Sequence, residues 1–231
     1  AQAEGESGDA EVTRALKARK ETARIASLTL GGERRFGDWL ASAALGGGQA
    51  GESTPDGLAG AAFVKDVAGV GFGGGSRKPL LTGPAALADA AGYSLDDIEM
   101  ETSQARDRER NARFDLQHDG RLAGMDLELK FGAKTSRRTK TNEQETWVFK
   151  AKDLAKAPLN LTKAQLAMGQ FLDGTAVDYP WGTFGPALSA SALRNLVAPL
   201  DRSKFREEED SRVNDFRIEE QVDAAYLQAK L

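Results

Sequence analysis

From Met125 to Lys134 the chain alternates without a break. Met125, Leu127, Leu129, Phe131 and Ala133 fall on one side and Asp126, Glu128, Lys130 and Lys134 on the other, with glycine at 132. Only an extended strand puts successive side chains on opposite faces, so this stretch is predicted to be a strand with one apolar and one charged side. The residues before it repeat the pattern, with Ala112, Phe114 and Leu116 opposing Asn111, Arg113, Asp115 and Gln117. Asp119-Gly120 supplies turn chemistry between the arms, and a hairpin is expected over residues 111–134.

Such a hairpin has two homes. On a soluble antiparallel sheet the apolar side faces a core. In a transmembrane barrel a strand of about 9 to 11 tilted residues turns its apolar side to lipid and its polar side to the lumen, and Met125 to Ala133 has that length. Composition leaves both open, because 231 residues with 40% hydrophobic content suffice for a soluble core. No window approaches the roughly 18 consecutive apolar residues of a spanning helix, which excludes helical membrane proteins. A mean hydropathy of -0.46 does not exclude a barrel, whose lumen-facing half is polar. The chain has no cysteine, one histidine (His118) and a net charge of -4, which leaves no thiolate metal site, no disulfide framework and no overall polyanion-binding field.

Taken in order, Ala1 to Glu21 is polar, with a short helix expected in AEVTRALKARKE. Then Ala26, Leu28 and Leu30 oppose Ser27, Thr29 and Glu33, the turn Phe36-Gly37-Asp38-Trp39 follows, and Trp39, Ala41, Ala43 and Leu45 return on one face. Residues 51–94 are rich in Gly, Ala and Pro without a sustained period and are expected to be a loop. A long strand is expected near 98–118, and its partner near 125–150 extends through the polar TSRRTKTNEQETWVFK. Residues 151–210 form a second long insertion. In it a helix is expected over KAQLAMGQFLDG with Thr162 as N-cap, and another within Ala187 to Leu200. Near 211–231, Phe216, Ile218, Val222, Ala224 and Tyr226 alternate with Arg217, Glu219, Gln221 and Asp223, which predicts a fifth strand with the first set on its apolar face.

The fold class expected is therefore all-β, an antiparallel up-and-down transmembrane β-barrel segment of about five strands (near 22–35, 39–50, 98–118, 125–150 and 211–231). Short turns fall at one end and long extracellular loops containing short helices at the other. Phe36, Trp39, Phe114 and Tyr226 would then sit near the interface at the short turns. SLTLGGERRFGDW, ARFDLQHDG, LELKFGAKTSRR, DYPWG and IEEQVDAAYLQAKL, in this order and spacing, resemble successive segments of the barrel of TonB-dependent outer-membrane receptors. The resemblance implies a 22-stranded barrel around an N-terminal plug in the bacterial outer membrane. Such receptors import a scarce ligand (a siderophore, a cobalamin or an oligosaccharide), driven by TonB. No TonB box and no plug are found, and five strands do not close a barrel, so the expectation is a fragment of such a receptor. The expected partners are outer-membrane lipid and lipopolysaccharide, a small-molecule ligand of unknown identity, and TonB through the missing plug. No cofactor, no nucleic acid and no catalytic role are expected.

The residues expected on the lumen side are Arg113, Asp115, Asp126, Glu128, Lys130 and Lys134, forming a charged network rather than an acid/base pair. The loop aromatics Tyr179, Trp181 and Phe184 are the candidates for ligand contact, since such rings cap sugars and siderophores. Gly69, Gly71 and Gly74 match a GxGxxG spacing, but Ser76-Arg77-Lys78-Pro79 blocks the helix a dinucleotide site requires. The other reading is a secreted or surface β-rich binding module in which the apolar faces form a soluble core.

Overall fold

A computed structural model describes residues 7–73, 80–156, 159–179 and 182–231. It is mostly antiparallel β with few helices. The strands are β1 (Ser7–Ala15), β2 (Thr22–Phe36), β3 (Trp39–Gly73), β4 (Leu80–Thr82), β5 (Ser94–Leu122), β6 (Met125–Lys150), β7 (Leu172–Tyr179), β8 (Gly182–Leu188) and β9 (Phe216–Lys230). Three short helices are α1 (Ala151–Leu154), α2 (Ala190–Val197) and α3 (Glu208–Arg212). The main sheet runs β1-β3-β5-β6-β9, with β2 and β4 also pairing with β3, and β7 and β8 form a separate hairpin.

The chain divides into two compact units. The first comprises the segments up to Lys20, Asp56–Thr102 and Glu145–Glu208, and the second Glu21–Pro55, Ser103–Gln144 and Glu209–Leu231.

The first unit has a hydrophobic core. Leu58, Phe63, Tyr93, Ile98, Met100, Phe149, Leu193 and Val197 are all fully buried. The two stretches expected to be loops supply most of these residues. Residues 51–73 are strand rather than loop: β2 pairs with them as far as Thr22↔Ser53, and β1 pairs with them from Ala15↔Ala62 to Ser7↔Gly71. For the same reason the helix expected near the N-terminus is absent: in β1 every second side chain is half-buried, which is a strand pattern. The helix expected after Thr162 is not built either. Thr162 does accept a bond from the Gln165 N–H, at 3.3 Å. The backbone beyond it, however, bonds to the β5 segment, with Leu95 N–H donating to Leu166 O and Met168 N–H to Tyr93 O, both at 2.9 Å. A single 3-10 turn, Met168–Phe171, leads into β7. The later expected helix is present as α2, with the Ser189 hydroxyl accepting from Ala192 N–H at 3.2 Å as its N-cap. Of the GxGxxG glycines, Gly71 pairs with Ser7 and Thr82 inside the sheet, Gly69 lies in β3, and Gly74 is outside the described residues.

The second unit contains β2 and β9 entire, with the parts of β3, β5 and β6 between them in the sheet. Gly37-Asp38 closes the β2–β3 hairpin, and Phe36 pairs with Trp39 across it. The β5–β6 turn falls at Ala123-Gly124 rather than at Asp119-Gly120. Both turn residues take positive φ (52° and 86°), the backbone of a two-residue primed turn whose twist suits the strands it joins. The strand continues past Asp119 because Asp119 N–H donates to Asp38 O at 2.9 Å and its carboxylate accepts from Arg35 Nη1 at 3.0 Å.

Candidate functional site

Register decides which residues of the second unit share a face. Leu28 pairs with Gly47, Leu30 with Leu45 and Gly32 with Ala43, so the apolar positions of β2 and β3 coincide as their alternation predicted. Leu129 pairs with Ala229, Phe131 with Leu227 and Ala133 with Ala225. An open hollow is lined by Ala43, Leu45, Ala112, Phe114, Ala133 and Ala225, which brings the apolar residues of four strands together. The result is one continuous apolar band across β2, β3, β5, β6 and β9.

The band ends at matching places on every strand. Toward the turns it is interrupted on β2 by Arg34, which pairs with Ala41 on the same face, and closes with Phe36, Trp39, His118 and Met125, where the Trp39 and His118 rings stack at 4.5 Å. At its other edge the same face changes to polar or charged residues: Arg24 on β2, Gln49 on β3, Arg110 on β5, Thr135 on β6 and Asp223 on β9. Nothing among the described residues covers the band. Leu28 is 66% exposed, Leu45 64% and Leu227 78%, and every buried hydrophobic side chain of the described residues belongs to the first unit.

Two expected interface aromatics are placed differently. Tyr226 pairs with Gly132, on the charged side of β6, so it belongs to the opposite face. Phe216, Ile218, Val222 and Ala224 go with it, opposite Asn142, Lys140, Ser136 and Lys134. Phe114 stands in the hollow well up the strand and not at the turn.

The charged face carries the residues expected to line a lumen. Arg113 Nε donates to Asp115 Oδ2 at 2.6 Å, and the Tyr226 hydroxyl donates to Asp115 Oδ1 at 2.5 Å. The Tyr226 ring and the Asp115 carboxylate meet over Gly132, where a Cβ would collide with both and with Phe114 O. Asp126, Glu128, Lys130 and Lys134 share this face by strand alternation, and Glu128 pairs with Lys230 of β9. Farther along, Arg138 Nε donates to Asp107 Oδ1 at 2.9 Å. The sequence alone did not reveal the Tyr226 contact, because no signal within β9 sets its register against β6.

Of the loop aromatics, Tyr179 and Phe184 lie on the backbones of β7 and β8, where Tyr179 pairs with Gly182 at the hairpin end. Their side chains, and Trp181 altogether, lie outside the described residues. The hairpin is tied down within the first unit by Arg14, whose Nη2 donates to Pro186 O at 2.8 Å. Arg14 and Lys65 both lie against the Tyr93 ring, at 5.8 and 5.1 Å from its centroid. Burial pushes the Tyr93 phenol above its ordinary pKa, against the pull of Arg14, and lowers that of Arg14. Among the described residues no group of three His, Cys, Asp or Glu side chains is placed to hold a metal ion. No described helix is long and apolar enough to cross a membrane, which leaves strands untouched by that test.

Compared with protein-family models, with curated proteins and with solved structures, the chain gives no match.

Proposed function

We propose that the second unit is a section of the wall of an outer-membrane β-barrel, with its apolar band toward lipid and its charged face toward an aqueous lumen. The whole chain is read as part of a receptor of the TonB-dependent type, taking up a scarce siderophore, cobalamin or oligosaccharide. The observation that carries the membrane reading is the band itself. It crosses five strands, ends at matching places on each, and has no core behind it among the described residues. A soluble sheet of this kind hides its apolar face, and exposed apolar patches of such extent mark contact with a membrane or a partner. The charged side fits water, since Arg35, Arg113 and Arg138 are paired to carboxylates and the face also carries Lys130, Lys134 and Lys140. Among the described residues β2 and β9 each have one neighbouring strand, so further strands are required on both sides to satisfy their edges in lipid. The TonB-dependent type rests on the resemblance of the strand segments, and the ligand-capturing role of the β7–β8 hairpin on its aromatic residues.

A specific observation favours a second reading, a β-rich binding module at the cell surface: the first unit has a core of the kind that folds in water. The two readings part at the band. Spin labels at Leu127 and Leu129 of the protein in lipid bilayers should report hydrocarbon, and labels at Glu128 and Lys130 water. Equal water exposure at all four positions would overturn the barrel reading and leave the surface module.

A further inference from the structure

Arginines of β2 and β5 differ in their partners between the two faces of the second unit, while on the apolar-face register of β9 Arg217 is paired with Glu219. On the charged face Arg35, Arg113, Arg121 and Arg138 each have a carboxylate partner: Asp119, Asp115, Asp126 and Asp107. On the apolar face, just past the edge of the band, Arg24, Arg106, Arg108 and Arg110 stand exposed. Among the described residues Arg24, Arg108 and Arg110 form no ion pair, and Arg106 donates only to the neutral Gln104 side chain, at 2.9 Å. No acidic side chain shares this part of the face on β2, β3 or β5. The residues there are Thr22, Arg24, Gly47, Gln49, Gly51, Ser53, Gln104 and the three arginines of β5.

These arginines border two adjoining grooves. One, of about 700 Å³, is lined by Arg24, Ala26, Gln49, Gly51, Arg106 and Arg108. The other, of about 440 Å³, includes Leu28, Gly47, Arg108 and Arg110. Glycines form the floor: the nearest atom a Cβ would meet is a backbone oxygen of β5 at 3.7 Å, from Glu109 at Gly47 and from Ala105 at Gly51. Four guanidinium groups therefore border a shallow polar trough that reaches Leu28 at the edge of the apolar band. Guanidinium is the side chain best matched to phosphate, through paired N–H donors. Like charges this close repel unless an anion lies between them.

Resting on the membrane reading above, we infer that this trough seats a phosphate-bearing lipid. Its headgroup phosphate lies among Arg24, Arg106, Arg108 and Arg110, and its acyl chains run along Leu28, Leu45 and Phe114. Charge complementarity and continuity with the band select this occupant. A free phosphate would leave the apolar half of the site unused, and a neutral lipid would leave four cations without a partner.

The test uses the protein in nanodiscs of phosphatidylcholine, alone or doped with bisphosphorylated lipid A or its dephosphorylated form, with bound lipid counted by native mass spectrometry. The wild type should retain the bisphosphorylated lipid selectively, and R106Q/R108Q/R110Q should weaken that retention on the order of 100-fold, since basic residues near an anionic surface each contribute about fivefold. Arg108→Lys should keep part of it, and K130Q/K134Q, a charge change on the opposite face, should leave it unchanged. Retention equal in the wild type and the triple variant would overturn the inference, as would full displacement by millimolar inorganic phosphate, which would make the trough a site for the free anion. A spin label at Leu45 in the same discs separates the two readings. Contact with hydrocarbon but no arginine dependence sinks this inference alone, whereas a label in water sinks the membrane reading with it.

Discussion

Gly132→Ala is the most informative single change in the second unit. A Cβ at this position would meet the Asp115 carboxylate, Tyr226 Cε1 at 2.7 Å and the Phe114 carbonyl oxygen at 2.8 Å. The first two are side-chain atoms and can withdraw, though only by separating the hydroxyl of Tyr226 from Asp115. The carbonyl belongs to the backbone of β5 and cannot. Inserting a methyl into a filled site costs about 1 to 3 kcal/mol, and the immovable carbonyl puts this case near the top of that range. Replacing a strand glycine returns about 0.5 to 1 kcal/mol of backbone entropy. The net expectation is a loss of about 2 kcal/mol. Gly32→Ala in β2 is the matched control, because a Cβ there meets nothing within 4 Å; it should be neutral or stabilising by up to about 1 kcal/mol. Urea unfolding of each variant in detergent micelles, followed by β-sheet circular dichroism, gives the difference. Adding Tyr226→Ala to Gly132→Ala should cost less than the sum of the two changes, since they share a contact, but should not restore full stability. If Gly132→Ala and Gly32→Ala unfold at the same urea concentration, the crossing of Asp115 and Tyr226 over residue 132 is wrong.

Three further outcomes follow from the same structure. In bilayers Leu129→Arg should cost about 2 to 4 kcal/mol if the band lies at the membrane midplane, and Lys130→Arg should be nearly silent, so equal folding yields of the two would reverse the assigned faces. Phe63→Ala, which empties a fully buried position against Phe171, should cost the first unit about 3 to 5 kcal/mol, and unchanged amide exchange around Phe171 would contradict the core described for it. Burial, with Asp96 beside it, holds the Asp97 carboxyl above its ordinary pKa, and Lys150 opposes this only in part. The unfolded chain therefore gives up this proton first, and stability falls as pH rises from the ordinary carboxylate range through the raised value. Asp97→Asn should be more stable than the wild type at neutral pH and equal to it in acid below the ordinary range, and a pH-independent difference in urea midpoint would refute the assignment.

Local pattern determined much of the second unit. The alternation of Met125 to Ala133, of Ala112 to Leu116 and of Trp39 to Leu45 named both the strands and their faces, because side-chain direction in a strand depends only on parity. Gly37-Asp38 was legible as a turn for a similar reason, since a residue type that tolerates positive φ sits between two alternating arms.

Tertiary structure decided what parity could not. In β9 the order is Glu219-Glu220 and later Ala224-Ala225, so its apolar and polar sets are nearly balanced. Its phase came from pairing, which set Tyr226 opposite Gly132 and placed its hydroxyl on Asp115. A shift of one residue would have turned every side chain over, and the difference lies in contacts with β6 that β9 does not encode. Residues 51–73 read as a loop because Gly, Ala and Pro show no period, and the chain after Thr162 read as a helix because an N-cap residue precedes a short apolar run. They are ordered by partners far away in sequence, β1 for the former and the Tyr93–Leu95 backbone for the latter. The core of the first unit is likewise assembled from three separate segments, each with too few apolar residues to declare a core by itself. The sequence by itself thus determined the strands of the second unit and most of their faces, and the tertiary structure decided register, the strands of the first unit and the interleaving of distant segments, because those energies belong to pairs of residues and not to any one stretch of chain.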